Sequence, residues 1–156
     1  MKDIFKAICI SVFMGICCMA VLSCSKEESS PDISGEWHLI STGELPMDGI
    51  DIYAVFGNGS FSLYQKTGDM LQYYQYTGHY SVSGDILSGT YTDGTPFGST
   101  YRITMMENDS VLVLTAQNGS GESSRYGKTP VPGSVKNSVV VTRAGEAGCD
   151  GISPFL

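Results

Sequence analysis

The chain has 156 residues, and its 16 acidic and 9 basic side chains give a formal net charge of −7 at pH 7. Because no basic cluster interrupts this acidic balance, the sequence predicts that nucleic acid is not a partner. A chain of this length is large enough for one domain core and too small for two.

The first 23 residues predict a signal peptide. A charged start at residues 1–6 is followed by a run of small and apolar residues that extends to Leu22. This run is short for a membrane span, since a transmembrane helix needs about 20 apolar residues. Alternatives to a cleaved lipoprotein signal are an uncleaved membrane anchor and ordinary secretion.

The run Val21-Leu22-Ser23-Cys24 resembles a bacterial lipobox, at which the lipoprotein signal peptidase cuts directly before the cysteine. The resemblance implies that Cys24 begins the mature chain and carries acyl chains, palmitate among them. Two or three such chains would hold the protein on a membrane almost permanently, because one chain alone binds only marginally. The implied address is the envelope of a Gram-negative bacterium, as an outer-membrane lipoprotein whose partner at this end is the membrane.

Residues 24–32 predict a flexible tether behind the lipid, because they are polar and lack an apolar period. Within them, Ser25-Lys26-Glu27-Glu28 resembles the acidic motif that sends some lipoproteins to the cell surface; the alternative is an ordinary solvated linker. Cys149 is the other thiol of the mature chain, so the sequence predicts no intrachain disulfide framework.

Turn signals at intervals of about 8–12 residues separate segments rich in β-branched and aromatic residues after Ile33. This spacing is typical of an all-β protein, and strands joined in series by tight turns predict a single up-and-down antiparallel barrel of about eight strands. The barrel domain is expected over residues 33–143 and a tail over 144–156. The predicted strands are 33–42, 50–56, 59–66, 72–82, 85–92, 99–106, 110–117 and 123–129, with a further apolar run at 138–143.

Most of these strands alternate between apolar and polar residues, as half-buried strands do. Residues 111–114 are apolar on both faces, and we expect the runs 139–141 and 154–156 to cover their outer side.

Gly35-Glu36-Trp37 matches the Gly-x-Trp element that opens the first strand of lipocalins. With Gly78-His79-Tyr80 and Leu87-Ser88-Gly89-Thr90-Tyr91, the sequence resembles small lipocalin-like lipoproteins of Gram-negative bacteria over about residues 33–130. The resemblance implies that Trp37 plugs the closed end of the barrel beneath an arginine, either Arg125 or Arg143. The chain departs from the family in its short length, and residues 130–136 offer at most one helical turn after the barrel.

An eight-stranded barrel either fills itself with side chains or holds one small ligand. The first hypothesis is a binding protein with a small apolar ligand in the barrel, and a planar ligand is expected to lie over Gly78, where a side chain is missing. Alternatively the tyrosines are ordinary strand formers on a half-buried face. The residues expected to line the ligand site are Trp37, Phe61, Leu63, Tyr74, Tyr76 and Tyr80.

The second hypothesis is a filled barrel that docks an envelope protein through the apolar run at 138–143 and the apolar end of the chain. An enzyme is not expected, because no catalytic, metal-ligand or phosphate-binding pattern is found, and no cofactor is predicted. His38 and His79 are expected to point outward or to the rim. Interior volume separates the two hypotheses, since only the first requires a cavity.

Overall fold

A computed structural model describes residues 29–43, 47–145 and 153–156. The signal peptide and Cys24 lie outside the described residues. No helix in the described part is long and apolar enough to cross a membrane. The elements are β1 Gly35–Thr42, β2 Ile50–Gly57, β3 Ser60–Thr67, β4 Tyr73–Ser83, β5 Ile86–Tyr91, β6 Tyr101–Met106, β7 Val111–Ala116, β8 Ser123–Lys128, α1 Gly133–Lys136 and β9 Val139–Val141.

The first eight strands form a closed antiparallel barrel, as predicted. Each pairs with the next along the chain, and β1 pairs with β8 to close the sheet. Local turn chemistry sets this order: Asn58 and Gly59 both have positive φ, at 50° and 72°, between β2 and β3. A two-residue hairpin loop of this kind matches the twist of the strands that it joins.

The seam between β5 and β6 is short, with two paired positions. The connection between these strands folds back, so that the main-chain N–H of Phe97 donates to the oxygen of Gly89 at 3.0 Å. The ring of Phe97 then lies against Gly89, in the space that a side chain at 89 would occupy. The barrel wall is thus completed here by a loop residue that packs inward.

Residues 129–141 cross the outer face of β2 and β3. Val131 and Val135 are buried there with Tyr53 and Tyr64, in a cluster separate from the barrel interior. Glu36 fixes this segment, since its carboxylate accepts from the Val131 N–H and from Lys136 Nζ. The hydrogen bond from Lys136, followed by that from Val131, lowers the pKa of Glu36.

The expectation that 139–141 and 154–156 cover β7 is wrong. Residues 139–141 form β9, which pairs in parallel with Tyr73–Gln75 of β4. β4 has 11 residues and β5 only 6, so the beginning of β4 extends past β5 and leaves main-chain groups that need partners. Residues 154–156 lie at the barrel interior, where they pack against its core.

Trp37 anchors the end of the barrel at which β1 begins. Its side chain is 0% exposed, and its Nε1–H donates to the main-chain oxygen of Ile33 at 2.9 Å. The cation over the indole ring is Lys128, with Nζ 5.4 Å from the ring centroid. The expected arginine is therefore a lysine, because the register of β1 and β8 sets Lys128 directly opposite Trp37.

The two candidate arginines lie elsewhere. Arg125 pairs in register with Ser41, and its guanidinium lies 3.7 Å from the Glu107 carboxylate. Arg143 is solvent-exposed after β9.

Replacing Trp37 by alanine should destabilise the barrel by about 3–5 kcal/mol, the usual cost of removing a large buried aromatic side chain. That is a large share of the ~5–15 kcal/mol that keeps a domain folded. Urea denaturation followed by circular dichroism measures the loss. Ile40→Ala on the same strand is the matched control, since Ile40 is 48% exposed. Equal, small effects of the two changes would contradict the buried plug.

Candidate functional site

The open end of the barrel is the end at which β3 and β5 finish and β4 begins. Residues 153–156, which belong to none of the eight strands, lie inside this end. Leu156 is 3% exposed and forms part of the barrel core, and Phe155 packs against that core. Ser153 is exposed, so the segment passes from solvent inward.

Gln65 of β3 holds this segment through its side-chain amide. Its Nε2 donates to the Ser153 main-chain oxygen at 3.1 Å, and its Oε1 accepts from the Phe155 N–H at 2.9 Å. Gln65 is 2% exposed. A buried amide without partners would cost about 1–3 kcal/mol of folding free energy per unsatisfied group. Ser153 and Phe155 supply the hydrogen-bond partners that the buried amide of Gln65 requires.

Tyrosine hydroxyls provide the other polar groups of the interior. The Tyr91 OH donates to the main-chain oxygen of Leu156 at 2.6 Å. Burial, and next the nearby phenol of Tyr101, raises the pKa of Tyr91 above its ordinary value. Tyr91 is therefore a neutral hydrogen-bond donor at pH 7.

Tyr126 is the unsatisfied member of the interior. It is 0% exposed, and its hydroxyl oxygen has no hydrogen-bond partner among the described residues. Burial, followed by the phenols of Tyr101 and Tyr91, raises its pKa, so it too is a neutral phenol. A buried hydroxyl without a partner is uncommon in folded proteins, and such a group calls for an explanation.

All six residues that the sequence predicted for the ligand site belong to or pack against the barrel core. Most of them contact other barrel side chains. Phe61, for example, packs edge-on against Tyr91 at 5.4 Å and against Phe97 at 5.0 Å between ring centroids. Tyr80 packs edge-on against Phe56, and Tyr76 against Tyr91. These rings fill much of the interior themselves.

Sequence reasoning missed Gln65, Tyr126 and residues 153–156, and it did not assign Tyr91 to the site. Gln65 shares the inward parity of Phe61 and Leu63 within β3, which is the one local signal that could have identified it. A polar residue on an otherwise apolar face is informative because burial requires a partner for it.

The space above Gly78 is not a ligand site, and this part of the hypothesis is wrong. A Cβ at position 78 would lie 2.2 Å from the Thr90 main-chain oxygen and 2.7 Å from a ring carbon of Phe61. The missing side chain lets β5 and an aromatic ring approach the backbone of β4 closely.

A second polar cluster lies on the outer face. His38 Nε2 is 2.8 Å from Asp51 Oδ1, and the His38 ring stacks on Tyr53 with centroids 4.4 Å apart. The Tyr73 hydroxyl donates to the other oxygen of Asp51. Burial and then this hydrogen bond raise the pKa of Tyr73. The described residues hold no group of three or more metal-ligating side chains.

Gly78→Ala should destabilise the barrel by about 1–3 kcal/mol, as overpacking of a tight core does. The matched control is Gly57→Ala, because a Cβ there meets nothing within 4 Å. Thermal unfolding monitored by circular dichroism compares the two. An unchanged melting temperature for Gly78→Ala would mean that β4 and β5 are farther apart than described.

No protein-family model matches the sequence, and no curated protein matches it significantly. Two solved structures are similar to it. A lipocalin-like protein from Bacteroides uniformis has 23% identity and a TM-score of 0.47, and the match covers 64% of this chain and all of that one. An uncharacterized protein from Bacteroides eggerthii has 20% identity and a TM-score of 0.45, with 63% and 100% covered.

The strand order of the chain defines its architecture independently of these matches. Eight antiparallel strands follow one another around the barrel, β8 returns to β1, and a buried Gly-x-Trp tryptophan lies where β1 begins. The protein is a closed, up-and-down antiparallel β-barrel of eight strands.

Proposed function

We propose that this protein binds a small, mainly apolar ligand at the open end of its barrel. The observation that carries the proposal is the position of residues 153–156. The eight strands alone do not fill the open end of the barrel, and this separate apolar segment packs there against the core. Ligand sites in proteins are concave and mainly apolar with a few polar groups that fix orientation. Gln65, Tyr91 and Tyr126 are such groups in an otherwise apolar interior.

The proposed setting is the outer membrane of a Gram-negative bacterium, with the barrel on a short tether behind acyl chains on Cys24. The lipobox resemblance at 21–24 supports the anchor, and the acidic run at 25–28 supports display on the cell surface. The proposed role is binding and not catalysis, with no nucleic-acid partner and no cofactor.

An exposed apolar patch favours a second candidate, the docking of an envelope protein. Leu71 is 93% exposed and Val141 is 74% exposed. Leu71 and Val140 line an open cleft of about 270 Å³ beside the start of β4. Apolar surface of this kind commonly marks an interface.

The two candidates are separated by titrating the mature chain with N-phenyl-1-naphthylamine, a neutral apolar dye that fluoresces in apolar surroundings. We expect saturable binding of one dye per chain. Phe155→Ala combined with Leu156→Ala should tighten binding several-fold, because both side chains pack at the interior. Val141→Ala, an apolar truncation on the exposed patch, is the control and should leave the affinity unchanged. Weaker dye binding in the control alone would favour the outer patch, and no binding by any variant would defeat the ligand proposal.

The anchor is tested in a bacterial host with the full precursor. Cys24→Ala should abolish incorporation of labelled palmitate and release the protein from the membrane fraction, because acylation requires the thiol. Ser23→Ala, beside it, keeps a small residue before the cysteine and should be labelled normally. Palmitate labelling that survives in Cys24→Ala would place the acyl chains elsewhere and end the lipobox interpretation.

A further inference from the structure

We propose that residues 153–156 act as an internal ligand and that the external ligand which displaces them is an extended, apolar molecule with successive peptide-like amides. This inference rests on the proposed function, since it names the ligand class of the same site. It follows from how the barrel holds the segment.

Gln65 recognises main chain and not side chain. Its primary amide donates to the carbonyl of Ser153 and accepts from the N–H of Phe155. These two main-chain groups flank Pro154, and they are the pair that one residue of a neighbouring strand would engage in a parallel sheet. The side chain of Gln65 therefore binds the main chain of an extended segment, whatever side chains that segment carries.

Tyr91 extends this recognition by one step along the segment. Its hydroxyl donates to the Leu156 main-chain oxygen, two residues beyond the Pro154 position. The three polar contacts are all to main-chain atoms, while Phe155 and Leu156 add apolar packing against the core. A pure hydrocarbon would leave Gln65 and Tyr91 without partners, whereas an apolar chain with successive peptide-like amides would satisfy both.

Tyr126 makes the internal segment an incomplete ligand. Its hydroxyl is fully buried and, with residues 153–156 in place, has no hydrogen-bond partner in the described part of the chain. Tyr126 belongs to the same buried core cluster as Tyr91 and Leu156. An external ligand with one more acceptor near Tyr126 gains a hydrogen bond that the segment does not supply.

Gly145, earlier in the chain than this segment, is held beside the end of β5. The Gly145 N–H donates to Asp93 Oδ2 at 2.7 Å, just beyond the end of β5. A covalently linked ligand competes at high effective concentration. The apparent affinity for an external ligand is therefore reduced in proportion to the fraction of chains whose site is empty. Weakening the internal ligand should increase that fraction and restore the affinity.

The test uses the mature full-length chain and the acetylated, amidated peptide Ser-Pro-Phe-Leu as probe, with N-phenyl-1-naphthylamine as an apolar probe that has no amide. Leu156→Asp should release the segment, because a carboxylate cannot remain at a buried apolar position. Ser153→Asp adds the same charge at an exposed position and is the matched control. We expect Leu156→Asp to bind the peptide at least tenfold more tightly than the wild type by calorimetry, with Ser153→Asp unchanged.

Gln65→Met in the Leu156→Asp background then tests the recognition itself. Methionine keeps the volume and removes both hydrogen bonds, so peptide affinity should fall about tenfold while dye affinity stays the same or rises. Retained dye binding shows that the variant is folded, and Tyr91→Phe provides a second, smaller change. Peptide affinity independent of Gln65 and Tyr91, or dye binding without peptide binding, would overturn the inference and leave the proposed function intact. Failure of both probes in Leu156→Asp would defeat both.

Discussion

The barrel closes where β1 pairs with β8, and closure directs every second side chain of eight strands into one enclosed volume. That volume has to be filled, and each polar atom within it needs a partner because water is largely excluded. Phe61, Tyr91 and Phe97 pack edge-on against one another inside it. The strands do not fill the open end, and residues 153–156 lie there instead.

This arrangement explains why a barrel rich in interior aromatic rings still has a candidate ligand site. Rings from neighbouring strands meet at ordinary edge-to-face distances and leave no room above Gly78. The replaceable part of the interior is the segment that comes from outside the barrel wall. Its polar contacts are made by Gln65 and Tyr91, and none of the residues that the structure describes pairs with the Tyr126 hydroxyl.

The strands could be predicted from the sequence because turns such as Asn58-Gly59 are local signals that need no knowledge of distant residues. The burial of Trp37 could also be predicted, because the Gly-x-Trp element and the alternation of apolar and polar residues in β1 both indicate it. The cation over Trp37 was missed because it depends on the register between β1 and β8, which are far apart in sequence. The pairing of β9 with β4 was missed for a similar reason, because it depends on the unequal lengths of β4 and β5.

The site was harder to predict than the fold. All six expected residues are aromatic or aliphatic side chains; four are buried in the core, and Tyr74 and Tyr80 pack against it from partly exposed positions. Gln65 was overlooked because a glutamine in a strand is ordinarily solvent-exposed, and its burial depends on a segment 88 residues away. Long-range contacts of this kind leave no periodic trace in the sequence.

The account depends most directly on whether residues 153–156 lie inside the barrel in solution. Amide hydrogen exchange of Phe155 followed by NMR measures this, because its N–H donates to the buried Oε1 of Gln65. The account predicts slow exchange that becomes fast in Gln65→Met. Exchange of the Phe155 amide at the rate of an unstructured peptide in the wild-type chain would contradict it.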